Sequence, residues 1–455
     1  MTSAPPQADR APATSAPGRA VRGLAVGAVA AGVLAVWLWG REITRRGGDL
    51  HLREGYVVVG PVDVVLSARV LLPLALAAAV VLWGPELARR LRWPALLAAG
   101  TAGAAGWAVA LAVNGGWDAL AAPMATEHEY VADVGRVGDL GTFLSTYVDS
   151  VPVGSADPWV THVSGHPPGA LLAFVLLDRI GLGGPGWAAA LCIAGGALAV
   201  PAVLVAVRTV ADEAAARTVA PFAVLLPGAV WIATSADALF AGVTAWGVAL
   251  LALAAARAPS RAGNVRALAG GLLLGGSLYL SFGLAAAGLL ALTAVLVQWS
   301  RLGWSGVLRV LAVGGVGVAL VVAVVTVGGY WWFDGLEVVA QRVRDGAAYA
   351  DREEQSSWFL VGDLAAGALA AGPAVVAGLA GIRGRTALLP LAALAGILVS
   401  DLSGFVLGET ERIWLPFVVW LLPATASLPA RSHRFWLTLS ALLAVAVEVT
   451  VRTPW

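Results

Sequence analysis

The sequence predicts an all-α polytopic membrane protein with about 13 transmembrane helices, one short half-inserted helix, and an outer loop carrying amphipathic helices. Three observations carry that prediction. The chain is 59% hydrophobic and 13% charged, with a mean hydropathy of +0.82, far from the averages of soluble globular domains. Apolar runs of about 17 residues or more recur along it, long enough to cross hydrocarbon. Its arginines fall mainly in short connections between those runs, which gives the stack an orientation.

Residues 1–20, rich in Ala, Pro and Ser, read as a disordered cytoplasmic tail. A polar stretch of that length, followed by a full spanning run without an A-x-A site, argues against a cleaved signal peptide. The rest, residues 21–455, reads as a single transmembrane domain. Its apolar segments are 21–40, 68–84, 94–113, 187–207, 218–234, 238–256, 267–282, 284–299, 309–329, 363–382, 386–407, 413–428 and 435–451, with a shorter one at 167–181. Two long polar segments, 114–166 and 330–362, are too short to bury a sizeable core of their own. No internal repeat stands out, which weakens an inverted-repeat transporter reading.

With Arg10, Arg19 and Arg22 in the cytoplasm, Arg89, Arg90 and Arg92 also fall inside and the loop 114–166 falls outside. If 167–181 crossed fully, Arg208, Arg217, Arg257, Arg261, Arg266, Arg301 and Arg309 would all lie outside. A half-inserted 167–181 returns them to the cytoplasm, together with Arg383, Arg385, Arg431 and Arg434. Only 41–67, with Arg41, Arg45, Arg46 and Arg53, runs against this assignment.

The chain has no lysine, which removes Schiff-base chemistry and leaves arginine and histidine to bind anions. Its single cysteine, Cys192, lies in an apolar run, so no intramolecular disulfide forms. The outer loop 114–169 holds seven acidic residues (Asp118, Glu127, Glu129, Asp133, Asp139, Asp149 and Asp157) against one base, Arg136. Thr126-x-x-Glu129 has the form of a capping box, predicting a helix from there to about Leu140 with Glu129 and Asp133 on one face. Two like charges so placed are candidates for a general base or a metal site; the bland reading is a capping glutamate on a solvated helix face.

His162-x-x-x-His166-Pro-Pro-Gly reads as the entry to a new helix, whose unsatisfied N–H groups beside His166 attract anions. Asp237, in Thr-Ser-Ala-Asp, heads a helix at the same face and could serve only as its cap. Near the C-terminus, Glu409-Thr410-Glu411-Arg412-Ile413-Trp414-Leu415-Pro416 opens a further spanning segment. Glu411 and Arg412 point in different directions on a helix, which leaves Arg412 available to a ligand. The turn at Tyr279, and Arg344 in the loop 330–362, belong to the same outer face. No P-loop or other nucleotide-binding motif is present.

The acidic first outer loop, the His-Pro-Pro-Gly entry, the Ser-Ala-Asp helix head and Glu-Arg-Ile-Trp-Leu-Pro together resemble the GT-C superfamily of membrane glycosyltransferases. That superfamily includes the protein O-mannosyltransferases, the aminoarabinose transferases and the actinobacterial cell-wall glycosyltransferases. The resemblance implies a polyprenyl-phosphate sugar donor, an envelope glycan, lipid or protein acceptor, and a site on the extracytoplasmic face of the cell membrane. It implies Glu129 or Asp133 as catalytic base, His166 and Arg412 at the donor phosphate, and His162, Asp237, Tyr279, Glu409, Glu411 and Arg344 as further site candidates. No cofactor is required by it, and a divalent metal stays open. The sequence departs from the pattern in lacking a tight Asp-Asp or Asp-Glu pair and a lysine before its Pro-Pro. The abundance of Ala, Gly, Val and Arg with no lysine points to a GC-rich, actinobacterium-like source. Against the enzyme stand a lipid or glycolipid transporter or flippase, and a non-catalytic envelope assembly protein of the same fold.

Overall fold

The computed structural model describes residues 18–257, 259–346 and 348–455. Most of the predicted tail, residues 1–17, lies outside the described residues; the first helix already begins at Arg19. Helices α1 (Arg19–Arg45), α2 (Leu71–Arg90) and α3 (Trp93–Ala112) lead into a lid of short 3-10 turns containing α4 (Leu140–Thr146) and α5 (Thr161–Ser164). Then come α6 (Pro168–Arg179), α7 (Pro185–Val210), α8 (Glu213–Val224), α9 (Ala236–Arg257), α10 (Arg261–Leu278), α11 (Gly288–Leu296) and α12 (Trp299–Val327). A second polar excursion holds α13 (Trp332–Asp345) and α14 (Tyr349–Glu354). The chain closes with α15 (Ser356–Ala371), α16 (Pro373–Leu379), α17 (Leu388–Leu402), α18 (Thr410–Ile413), α19 (Leu415–Val418) and α20 (His433–Thr450). Among the described residues there is no strand, only an isolated antiparallel bridge between Val62 and Val451.

The all-α polytopic class is the one observed, but fewer helices are continuous than the apolar runs suggested. Among the described residues, eight are long and apolar enough to cross a membrane, or nine if α15 and α16, bent by 103° about Gly372, count as one span. The remaining runs fall on shorter or broken elements. Pro227 follows the end of α8 and opens a 3-10 turn, Phe282–Ala287 is 3-10 before α11, and Pro416 and Pro423 interrupt the segment after Arg412. Proline removes a backbone donor and clashes with the preceding turn, so an apolar run containing it need not be one helix. Residues 414–425 are buried almost throughout, and broken backbone is tolerated at membrane depth when protein rather than lipid surrounds it.

Small residues set the closest packing. A Cβ on Gly242 of α9 would lie 2.2 Å from the Gly195 carbonyl oxygen of α7, so these helices touch backbone to backbone. One end of the bundle is arginine-rich. There Arg22 donates to the carbonyls of Ala377 (2.7 Å) and Ser427 (2.8 Å), Arg217 to those of Ala88 (2.6 Å) and Leu91 (2.9 Å), and Arg208 lies 4.4 Å over the Trp93 ring. The opposite end carries the lid. Asn114 donates there to Val65 (3.0 Å), Trp332 to Leu278 (2.9 Å), and His51 meets Asp351 at 2.8 Å. Helix α6 turns back on the lid: its terminal Arg179 donates to the carbonyls of Val137 (3.3 Å) and Gly138, so it does not reach the arginine-rich end.

Candidate functional site

The lid does not form the predicted helix from 126 to 140. Residues Tyr130–Arg136 wind as a 3-10 helix with Glu129 at its N-cap position, and no side chain caps it. Thr126 and Glu129 are joined only through backbone, Glu129 N–H to Thr126 O at 3.2 Å. The Glu129 carboxylate is committed elsewhere, which is why the capping box does not close. One oxygen, Oε1, lies 2.8 Å from His162 Nδ1; the other, Oε2, is buried with no hydrogen-bond partner among the described residues.

His162 links the lid to the end of the chain. Its Nε2 lies 3.1 Å from Nη2 of Arg412. A guanidinium N–H only donates, so Nε2 accepts, and the ring proton is assigned to Nδ1, facing Glu129. Arg412, 5% exposed, also gives Nη1 to Asp237 at 2.6 Å and Nη2 to Glu409. It does stay clear of Glu411. Two other carboxylates hold its guanidinium instead. Of these, Asp237 is wholly buried in the first turn of α9, whereas the Glu409 side chain is 28% exposed. The Trp455 indole covers the guanidinium at 4.2 Å.

Charge and burial oppose each other here. Burial pushes the Glu129 carboxyl up, but the hydrogen bond from His162 and the positive charge of Arg412 outweigh it and hold the group below the ordinary glutamate range. Glu409 is likewise lowered, its burial outweighed by Arg412. Glu411 forms no such ion pair among the described residues. It is fully buried, accepts from Val59 N–H at 3.0 Å, and is pushed up to about 7, mainly by burial.

His166 sits one turn after His162 and gives its Nδ1–H to the His162 carbonyl at 2.8 Å. Burial lowers its pKa, so the ring is neutral and the nitrogen left over is an acceptor. A direct donation from His166 to a phosphate, expected from its place before the Pro-Pro helix entry, is therefore not what this arrangement offers. Tyr130 packs against both histidines, with ring centroids 6.2 Å from His162 and 5.8 Å from His166. Tyr147 fixes the helix entry by donating to the carbonyls of Val163 (2.7 Å) and His166 (2.9 Å).

Other predicted site residues separate from this cluster. Asp133 is buried, with one oxygen on Arg136 (2.8 Å) and the other accepting from Val160 N–H (2.8 Å), while Arg136 lies 4.0 Å over Trp159. It ties the lid together, with each oxygen engaged by a protein donor. Tyr279 stands in an aromatic row, its ring 6.0 Å from Tyr330, which is 5.7 Å from Tyr147. Arg344 bonds Gln341 on α13 at 2.9 Å and is exposed. Trp455 and Tyr130 were not legible as site residues, because nothing in their local sequence separates them from core aromatics. No group of three or more His, Cys, Asp or Glu residues placed to hold a metal ion occurs among the described residues.

No protein-family model matches the chain, and none of the curated proteins matches it. Among solved structures it is similar to the oligosaccharyltransferase of Archaeoglobus fulgidus, crystallised with zinc and sulfate. That match has a TM-score of 0.40 and 15% identity, over 78% of this chain and 53% of that one. The chain thus spans about half the length of that protein. A likeness of this degree identifies neither a family nor an activity.

Proposed function

We propose that the protein is a membrane glycosyltransferase that moves a sugar from a polyprenyl-phosphate donor to an envelope acceptor on the extracytoplasmic face. The observation that carries this reading is the buried chain Glu129–His162–Arg412, which ends in a carboxylate oxygen with no protein partner. Glu129 is the base. It is ionised at neutral pH, it is oriented by His162, and its Oε2 is available to accept the proton of an acceptor hydroxyl. Of the two acids that the sequence offered, Asp133 has both oxygens engaged.

Arg412 supplies the positive charge for the leaving phosphate. Its Nη2 is held by Glu409, the most exposed of its partners, and the donor phosphate takes the place of that carboxylate. Asp237 stays paired with Nη1 and keeps the guanidinium aimed. His166 positions the site through the His162 carbonyl.

The test uses membranes containing the protein and a panel of labelled polyprenyl-phosphate sugars. Transfer to an envelope acceptor is expected, lost in Glu129→Gln and retained in a correctly folded Asp133→Asn. A flippase or an assembly protein would tolerate Glu129→Gln. Full complementation of a deletion by that variant refutes the enzyme.

A further inference from the structure

After α20 the chain runs back over the outer end of the bundle as a strap. Val65 N–H donates to Val449 O at 2.8 Å, Asp63 N–H to Thr450 O at 3.0 Å, and Arg452 N–H to Pro61 O at 3.0 Å, flanking the Val62–Val451 bridge. Beneath it, a Cβ on Gly60 would lie 2.1 Å from Arg452 O, so the two backbones are in direct contact. Backbone bonds and close packing on both sides make this segment a fixed wall. It delivers Trp455, 8% exposed, onto Arg412 at 4.2 Å and beside His162, with ring centroids 6.2 Å apart.

Apart from His162 Nδ1, whose one polar neighbour is Glu129 Oε1 at 2.8 Å, three buried polar atoms around Arg412 have no hydrogen-bond partner among the described residues: Glu129 Oε2, Arg412 Nε and Trp455 Nε1. Buried donors and acceptors are rarely left unmade, and several of them gathered around one guanidinium call for a partner. Two are N–H donors and one is a carboxylate acceptor. That set does not match an anion alone, which would leave the carboxylate without a donor. It matches polyols, where one hydroxyl gives its proton to the carboxylate and neighbouring oxygens accept from N–H groups.

We propose that Trp455 is a sugar-binding residue of this site, its indole N–H donating to a ring oxygen of the donor sugar and Arg412 Nε–H to a neighbouring one, while Glu129 Oε2 takes the acceptor hydroxyl alongside. The proposal rests on the glycosyltransferase reading for the sugar's identity as donor, but not for its being a sugar. Trp455 therefore bears on which sugar is accepted, and Arg412 Nη2 is left for the phosphate.

The experiment compares wild type, Trp455→Phe and Trp455→Ala in detergent. Phenylalanine keeps an aromatic ring over Arg412 and removes the N–H. Two readouts are taken: donor KM and kcat with the labelled polyprenyl-phosphate sugar panel, and the shift in melting temperature produced by methyl glycosides of the same sugars. Trp455→Phe should melt like wild type without sugar. Its KM should rise about three- to tenfold, the loss of one neutral hydrogen bond, with kcat little changed, and its stabilisation by the preferred glycoside should fall. If glycosides stabilise wild type in a Trp455-dependent way while no donor is used, the sugar site stands and the transferase reading falls. Wild-type KM and glycoside response in Trp455→Phe would overturn the proposal, as would the absence of any glycoside stabilisation of wild type. Val62→Cys with Val451→Cys in a Cys192→Ser background locks the strap: retained donor use is expected, and reversible loss on oxidation would make the strap a moving lid and overturn the fixed wall.

Discussion

Replacing Arg412 by methionine should destabilise the protein by about 3–5 kcal/mol, and removing its buried partner as well should return most of that loss. The magnitude follows from which carboxylates the substitution strands. Glu129 keeps the His162 ring proton, and Glu409 has a side chain 28% exposed that water can solvate. Asp237, whose side chain is 4% exposed, has no other ion pair among the described residues. The cost is that of one buried, uncompensated carboxylate, partly relieved if Asp237 takes up a proton. In Arg412→Met/Asp237→Leu no charge remains to strand, and two apolar side chains fill similar volume. The double variant should thus be more stable than Arg412→Met alone, although both are inactive. Equilibrium unfolding in detergent, followed through the fluorescence of the chain's 19 tryptophans, measures all four corners of the cycle. Additive losses, with the double variant less stable than either single one, would refute the reasoning that Asp237 holds the energy of this pair.

Glu129→Gln should abolish turnover while leaving the melting temperature near wild type, whereas Asp133→Asn should lower stability by about 1–3 kcal/mol and leave kcat of the folded fraction largely intact; the reverse pattern would exchange the two roles. Glu411 should make stability fall with rising pH. Its folded pKa, about 7, lies above its ordinary 4.5, so its contribution is fully present below about pH 4.5 and lost as pH rises through 7, a difference of about 3 kcal/mol that Glu411→Gln removes. An unchanged pH slope in that variant would show that another group carries it. In a Cys192→Ser background, single cysteines at Gly154 and Ser356 should react with a membrane-impermeant maleimide from outside, and those at Pro259 and Arg431 should not. Outside labelling at Pro259 would mean that α6 crosses.

The class of fold was legible because hydrophobic composition and run length act over whole segments and do not depend on tertiary contacts. Continuity within each run was not. Pro227, Pro416 and Pro423 break segments whose composition alone reads as spanning, and only their burial in protein makes the breaks affordable. At the site, Glu129, His162, Asp237, Glu409 and Arg412, all named as candidates from the sequence, do meet. Their pairing was not readable. Thr126 and Glu129 fit a local capping rule, but a long-range partner, His162, takes the carboxylate instead. Arg412 was judged against its neighbour Glu411, although Asp237, 175 residues away, is what holds it. Trp455 carried no motif at all, since its position depends on the strap's pairing with residues 61–65.

The broken, buried segment that carries Arg412 has a consequence for biogenesis. A stretch of two short helical turns and 3-10 backbone, opening on a charged guanidinium, is a poor substrate for insertion into lipid by itself. Against α9 its guanidinium meets Asp237, so this corner is expected to assemble after the helices around it are already in the bilayer. Isolated in an insertion reporter, residues 409–428 should fail to integrate, and α9 expressed alongside should rescue them only when Asp237 is intact. Autonomous integration of that segment would show that the surrounding helices are not its membrane.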